Sequence, residues 1–135
     1  MKEPGVKALW NEVLLVAAEL ESFEPGLTGL RDQLINALNQ EVPSTWIERS
    51  KPCLKSDAVL SLAIKLNQIA GLYYSNRQLK NAKAVCTWAL ALYSAALGAD
   101  HNDTKIIADN LKRLQASMGR YKAVSINKRS RKQSD

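Results

Sequence analysis

Apolar residues recur at helical spacing along most of the chain, and one of these helical patterns occurs twice. Five positions in the region 66–82 match five positions that lie 42 residues further on. The matched pairs are Leu66 and Ala108, Ile69 and Leu111, Tyr73 and Gln115, Leu79 and Tyr121, and Ala82 and Val124. A repeat of this length is typical of stacked helical units rather than of a closed globular core. The pattern therefore predicts an all-α protein, built as an antiparallel stack of helix hairpins.

The spacing of apolar residues predicts five main helices, of which the first two lie in the N-terminal part of the chain. They cover about 6–22 and 29–39, and the Glu-Pro-Gly run at 24–26 separates them. Thr28 is the predicted cap of the second helix. Two adjacent amphipathic helices joined by a short break are expected to form an antiparallel hairpin.

The segment 41–55 loses the helical periodicity and is predicted to connect this hairpin to the rest of the chain. Pro43 and Pro52 bracket Trp46, so the segment holds at most one short helix, started by Ser44. Trp46 is the expected anchor of the connection.

Three further helices are predicted at about 56–76, 80–97 and 103–118. Between Ala82 and Leu97 only three residues are polar, so the fourth helix must be covered on more than one side. The fifth helix has one narrow apolar stripe opposite a charged face. Such a one-sided helix suits the end of a repeat stack.

Single residues mark the ends of the last two helices. Gly98 is the predicted end of the fourth helix, and Asp103 or Thr104 is the predicted cap of the fifth. Beyond Gly119, residues 121–126 are compatible with the start of another helix.

The chain is accordingly divided into three regions. Residues 1–55 form a helical hairpin with a linker, residues 56–124 form the repeats, and residues 125–135 form a basic tail. The tail has no apolar residue after position 126 and is predicted to be disordered.

Two motifs in the repeat region resemble a known family. The run Leu66-Asn67-Gln68-Ile69-Ala70 precedes Tyr73, and Ala-Leu-Gly-Ala-Asp-His-Asn-Asp-Thr fills the connection 96–104. These motifs are similar to the tetratricopeptide repeat, in the longer variety found in kinesin light chains. The resemblance covers about residues 57–124 and implies a fragment of an α-solenoid.

The resemblance is incomplete. Arg77 stands where the family has a turn glycine, Asn102 replaces a proline of the connection, and Lys112 replaces a small residue of the second unit. Residues 1–55 match poorly, and a degenerate repeat with a longer turn is one interpretation of them.

The candidate binding residues lie on the faces of two predicted helices that point away from their apolar stripes. They are Asn67, Gln68, Gly71, Tyr74, Asp109, Asn110 and Arg113. The resemblance implies that this face lines a concave groove, in which amide side chains pair with a peptide or helix of a partner protein. The alternative is that these residues are the solvated side of their helices.

The sequence offers no catalytic, cofactor or metal site. Its single histidine, His101, lies in the connection beside Asp100 and Asp103, where too few ligands are available for a metal. A capping loop is the preferred interpretation of this segment. No glycine-rich phosphate loop is present, so we expect a protein that is not an enzyme.

The two cysteines indicate the redox state of the compartment and do not form a recognisable reactive motif. Cys53 and Cys86 lie 33 residues apart, without a framework of further thiols, which favours a reducing compartment. The apolar run 13–18 is bounded by Glu12 and Glu19 and is too short for a membrane span. We therefore expect a cytoplasmic protein.

The net charge of +6 is concentrated at the C-terminus. Residues 1–119 hold 13 Lys/Arg and 12 Asp/Glu, a net +1, whereas residues 120–135 hold 6 and 1, a net +5. The densest basic run consists of Lys128, Arg129, Arg131 and Lys132. Contact with nucleic acid, lipid or an acidic protein and a solubilising terminus are both compatible with it.

The preferred interpretation is a non-enzymatic adaptor that binds another protein in its groove. The alternative is a small nucleic-acid or acidic-surface binder that acts through the tail, and a purely structural enzyme subunit is a third possibility. A short repeat array also exposes its ends, so self-association is expected where Trp88 and Leu92 would otherwise lack cover.

Overall fold

A computed structural model describes the backbone of residues 5–134 and the side chains of residues 5–119. All regular structure in this part of the chain is helical, which confirms the predicted all-α stack. Two short 3₁₀ turns, Pro25–Leu27 and Lys51–Leu54, accompany the α-helices. The α-helices are α1 Val6–Phe23, α2 Leu30–Ile35, α3 Ser44–Ser50, α4 Asp57–Ser75, α5 Leu79–Leu97 and α6 Asn102–Ser134.

Four helices form the stack in the order α1, α4, α5, α6, with each packed on the next. Their apolar stripes meet in one continuous core, to which α2, α3 and the two 3₁₀ turns also contribute. The predicted stripe of α4 is buried, including Leu62, Leu66 and Ile69. Burial of these stripes is the main source of stability for the stack.

In the α4–α5 hairpin, a side-chain cap precedes α4 and a tight turn joins α4 to α5. The hydroxyl of Ser56 accepts a hydrogen bond of 3.2 Å from the Val59 N–H at the start of α4. Arg77 at the turn has a φ of +62°, the left-handed conformation that favours glycine. The N–H of Gln78 closes the turn on the Tyr73 carbonyl at 2.8 Å.

The N-terminus of α6 is capped by a residue that the sequence did not predict to be a cap. Gly98 ends α5 as expected, with a φ of +92°. The Nδ1 atom of His101 accepts the Asp103 N–H at 3.1 Å, so His101 caps α6 instead of Asp103 or Thr104. Thr104 is buried, and its hydroxyl donates to the Tyr93 carbonyl at 3.4 Å.

Helix α1 runs antiparallel to α4. Its first turns meet the end of α4, where Trp10 Nε1 donates a hydrogen bond of 3.0 Å to the Tyr73 hydroxyl. Its last turn leads into Pro25–Leu27, which contacts the 3₁₀ turn Lys51–Leu54 just before α4. Residues 1–55 thus place α1 as an antiparallel layer against α4.

Helix α2 is shorter than predicted and starts differently. It ends at Ile35, and the Asp32 carbonyl then accepts both the Asn36 backbone N–H at 3.3 Å and the Asn36 side-chain amide at 2.9 Å. Thr28 does not cap α2, because its hydroxyl donates to the Pro25 carbonyl at 2.7 Å. Gly29, with a φ of +95°, is the residue before the helix.

Trp46 anchors the connection between the hairpin and α4, as predicted. It is buried, and its Nε1 donates to the Thr28 carbonyl at 3.0 Å. Its ring also meets Trp88 of α5 edge to face, with a centroid separation of 6.2 Å. Trp88 and Leu92 are both fully buried, so the expectation that they mark a poorly covered end is wrong.

Helix α6 does not end near Met118. Its backbone continues through Gly119 to Ser134 and so includes most of the segment 125–135 that the sequence predicts to be disordered. No proline interrupts this part of the chain, and lysine, arginine and glutamine are good helix formers.

Candidate functional site

Helix α4 presents two opposite flanks, and α1 occupies only one of them. Lys65 lies nine residues before Tyr74, which places the two side chains about 180° apart around the helix. Lys65 Nζ forms an ion pair of 3.1 Å with Glu12 of α1. Tyr74 remains 51% exposed on the other flank. The N-terminal region therefore leaves the predicted binding face open.

The open flank of α4 and the facing side of α6 enclose a groove of about 280 Å³. We call it the α4/α6 groove. Five of the seven predicted binding residues line it, namely Asn67, Gly71 and Tyr74 from α4 and Asn110 and Arg113 from α6. Residues 43 positions apart, such as Asn67 and Asn110, thus face each other across one space.

Two of the predicted residues do not line the groove. Gln68 is exposed on α4 and Asp109 is exposed on α6, but neither belongs to the groove wall. Each precedes or follows a groove residue by one position, and one position rotates a side chain by about 100° around the helix. That rotation directs both side chains away from the groove.

Three further groove residues belong to the buried apolar stripes of their helices. They are Ala70 of α4, Cys86 of α5 and Leu114 of α6. Each is at least 90% buried and contributes to the floor between the two polar walls. The position of these residues at the edge of an apolar stripe could have identified them from the sequence, because such residues contact both the core and the adjoining surface.

Gly71 has no packing reason to be glycine. A β-carbon at this position would meet no atom within 4 Å, and the residue lies in the middle of a regular helix. Glycine inside a helix is less favourable than alanine by roughly 0.5–1 kcal/mol. The contacts of the protein itself therefore do not explain this residue, although the close approach of a ligand backbone would.

Arg113 supplies the positive charge of the groove. Among the described side chains the ion pairs are Lys65 with Glu12 and His101 with Asp103, so Arg113 has no carboxylate partner. Its guanidinium group is exposed and presents donors suited to a carboxylate or a carbonyl oxygen. The groove thus combines one cation, two amides and one aromatic ring over an apolar floor.

The two cysteines have the properties of inert thiols. Burial raises the pKa of Cys86 to about 11, so its thiol stays protonated at neutral pH in the floor of the groove. Partial burial and the Glu24 carboxylate, 3.6 Å from the sulfur, also raise the pKa of Cys53. Neither environment lowers the pKa of its thiol as nucleophilic catalysis requires.

Neither metal binding nor membrane insertion has support in the described part of the chain. No group of three or more His, Cys, Asp or Glu side chains between residues 5 and 119 is placed to hold a metal ion. Within the same limits, no helix combines the length and apolar character needed to cross a bilayer. The side chains of Lys128, Arg129, Arg131 and Lys132 lie outside the described residues.

Comparison with known proteins adds no assignment, since no family model, curated protein or solved structure matches this chain.

Proposed function

We propose that this protein is a non-enzymatic adaptor that binds a segment of another protein in the α4/α6 groove. The observation that carries the proposal is the convergence of Asn67, Gly71, Tyr74, Asn110 and Arg113 on one open space, with Gly71 unexplained by internal packing. A solvated helix surface would require no such convergence between two helices.

The size of the groove indicates the type of ligand. A volume of about 280 Å³ lies at the lower limit of the range typical for small-molecule sites. It accommodates one or two side chains of an extended or helical peptide rather than a large cofactor.

Each groove residue has a distinct role in the proposed complex. The amides of Asn67 and Asn110 have both donors and acceptors, so they pair with the N–H and C=O groups of a peptide backbone. Tyr74 offers a flat amphipathic surface with few rotatable bonds to immobilise. Arg113 favours a ligand with an acidic side chain or a free carbonyl at the facing position.

We also propose that residues 57–124 are tetratricopeptide-like repeats. Alternation of direction along α4, α5 and α6 supports this, because each helix packs mainly on the next. Ala82 and Ala89 of α5 are fully buried, as expected for small residues that let paired helices approach. The left-handed Arg77 occupies the position where the family has a glycine, which accounts for a departure seen in the sequence.

A binding experiment tests the adaptor proposal. Peptides selected from a display library against the wild-type protein are measured by calorimetry against wild type and against Asn67→Ala combined with Tyr74→Ala. We expect the double variant to bind at least about tenfold more weakly, with unchanged helicity by circular dichroism.

A second double variant of α4 serves as the control for this experiment. Gln68→Ala combined with Ser75→Ala changes exposed residues of α4 that do not line the groove, so it should leave binding unaltered. If every selected peptide bound the groove variant and wild type equally well, the α4/α6 groove would not be the binding site.

A further inference from the structure

A second groove lies on the side of the α5–α6 seam that faces away from the α4/α6 groove. It has a volume of about 610 Å³ and lies between the segment 38–42, α5 and α6. Its apolar lining includes Leu38, Val42 and Leu111, each only partly buried against the core. Two lysines, Lys80 and Lys83, lie at its edge, and we call it the lysine groove.

The charges of the lysine groove are not neutralised by ion pairs. Neither Lys80 nor Lys83 has a carboxylate within ion-pair distance among the described side chains. Glu41 lines the same groove but pairs with neither, so the local balance is one positive charge. Unpaired lysines beside an apolar floor favour an occupant that is both apolar and acidic.

The chain itself has a surface of this chemistry on α1. Leu15, Glu19 and Phe23 follow one another at intervals of four residues on the exposed side of that helix. Leu15 is 66% exposed and Phe23 is 84% exposed, the two largest values among the exposed apolar side chains described. The Glu19 carboxylate has no ion-pair partner among the described residues. We call these three residues the α1 outer stripe.

We propose that the α1 outer stripe of one molecule binds in the lysine groove of a second copy of this chain. Leu15 and Phe23 would cover the apolar floor, and Glu19 would pair with Lys80 and Lys83. The C-terminal segment 120–135 is a poorer occupant, because its net charge of +5 has the same sign as the groove.

The two surfaces are different, so the contact is head-to-tail rather than symmetric. A head-to-tail contact leaves one stripe and one groove free after each addition, and the assembly grows unless its rotation closes a ring. Mass should therefore increase with concentration instead of stopping at a dimer.

Sedimentation of the intact protein over micromolar to millimolar concentrations tests this inference. Wild type should pass from its monomer mass of 14.9 kDa to larger species as concentration rises. Glu19→Lys alone and Lys83→Glu alone should each weaken association by roughly tenfold or more, because like charges then face each other. Both positions are at least partly exposed, and circular dichroism verifies that each variant is folded.

Mixing the two variants provides the sharpest readout. The altered stripe of the Glu19→Lys chain finds an opposite charge only in the altered groove of the Lys83→Glu chain. The unaltered stripe of the Lys83→Glu chain fits the unaltered groove of the Glu19→Lys chain, so the mixture should regain growth, with the two chains alternating. Both substitutions in one chain should restore growth. Glu48→Lys and Lys55→Glu, at exposed positions outside both surfaces, are matched controls and should behave as wild type.

Three results would overturn the proposed head-to-tail association. A wild-type protein that stays at 14.9 kDa throughout, or single variants that associate as strongly as wild type, would overturn the proposal. A mixture that gained no complex beyond the separate variants would also overturn it. Peptide binding in the α4/α6 groove uses neither surface, so the two proposals stand or fall separately.

Discussion

Trp10 Nε1 donates a hydrogen bond of 3.0 Å to the Tyr73 hydroxyl, and this bond joins the start of α1 to the end of α4. The residue that follows, Tyr74, is rotated by about 100° and lies on the open flank of α4. Two adjacent tyrosines thus have different roles, since one joins the N-terminal hairpin to the stack and the other lines the α4/α6 groove.

Tyr73→Phe should lower the free energy of unfolding by about 1 kcal/mol, because the partly buried Trp10 N–H loses its acceptor. Urea unfolding followed by circular dichroism measures this loss. Peptide binding should be unchanged, whereas Tyr74→Phe should affect binding more than stability. A Tyr73→Phe protein as stable as wild type would show that the hydrogen bond contributes nothing net.

Gly71→Ala should have opposite effects on folding and on binding. Stability should rise by roughly 0.5–1 kcal/mol, because alanine is the better helix former and its β-carbon meets open space. Peptide affinity should fall, because that β-carbon occupies the space of the ligand. Gly119→Ala is the matched control, since it also adds a β-carbon in open space within a helix but outside the groove. Equal peptide affinities for Gly71→Ala and wild type would contradict the close approach.

Arg77→Gly should increase the free energy of unfolding by about 1 kcal/mol, because the left-handed conformation at this turn is unfavourable for a residue with a β-carbon. Thermal and urea unfolding both report the gain. Arg77→Ala keeps the β-carbon and should show no comparable increase. Equal stabilities of the glycine and alanine variants would mean that the turn is not strained.

Stability should decrease above pH 9 because of Cys86. In the unfolded chain the thiol ionises near its ordinary pKa of 9.0, whereas burial raises the folded pKa to about 11. Ionisation therefore favours the unfolded state progressively between these two values. The contribution is fully present below pH 9 and is lost as the pH rises toward 11.

The contribution of Cys86 is measured as the difference in the free energy of unfolding between two proteins. With Cys53 replaced by alanine in both, the unfolding free energy of the Cys86 protein minus that of Cys86→Ala should decrease from pH 7 to pH 10.5. Because the pKa of Tyr93 is also raised, a comparison at each pH is required, so that its titration cancels. A difference that is constant with pH would contradict the raised pKa of Cys86.

The regular part of the fold was predictable because burial follows helical periodicity. The stripe through Leu66 and Ile69 predicted α4, which begins after its cap, Ser56. The same periodicity, read on its polar side, located five of the seven candidate residues in the α4/α6 groove. Local spacing specifies which side chains share a flank of one helix, but it does not give the limits of a groove formed by two.

What the sequence did not reveal depends on side-chain contacts that the helical spacing of apolar residues does not specify. The cover of Trp88 comes from Trp46, 42 positions earlier and outside any repeat, and no spacing within α5 indicates it. Helix α2 ends early at Asn36, whose backbone N–H and side-chain amide both donate to the Asp32 carbonyl. His101 caps α6 through its Nδ1 atom, although Asp and Thr are among the residue types preferred at such positions.

The antiparallel direction of α1 has a consequence for lengthening the protein. Because α1 covers the flank of α4 opposite α6, it closes that side as a terminal layer, and the groove is restricted to a single interval between two helices. An inserted unit of 42 residues between α5 and α6 would leave this layer in place and add a second interval. Under the proposed function, the bound segment of a partner would lengthen by one unit, and Asn67 and Asn110 would then line different intervals.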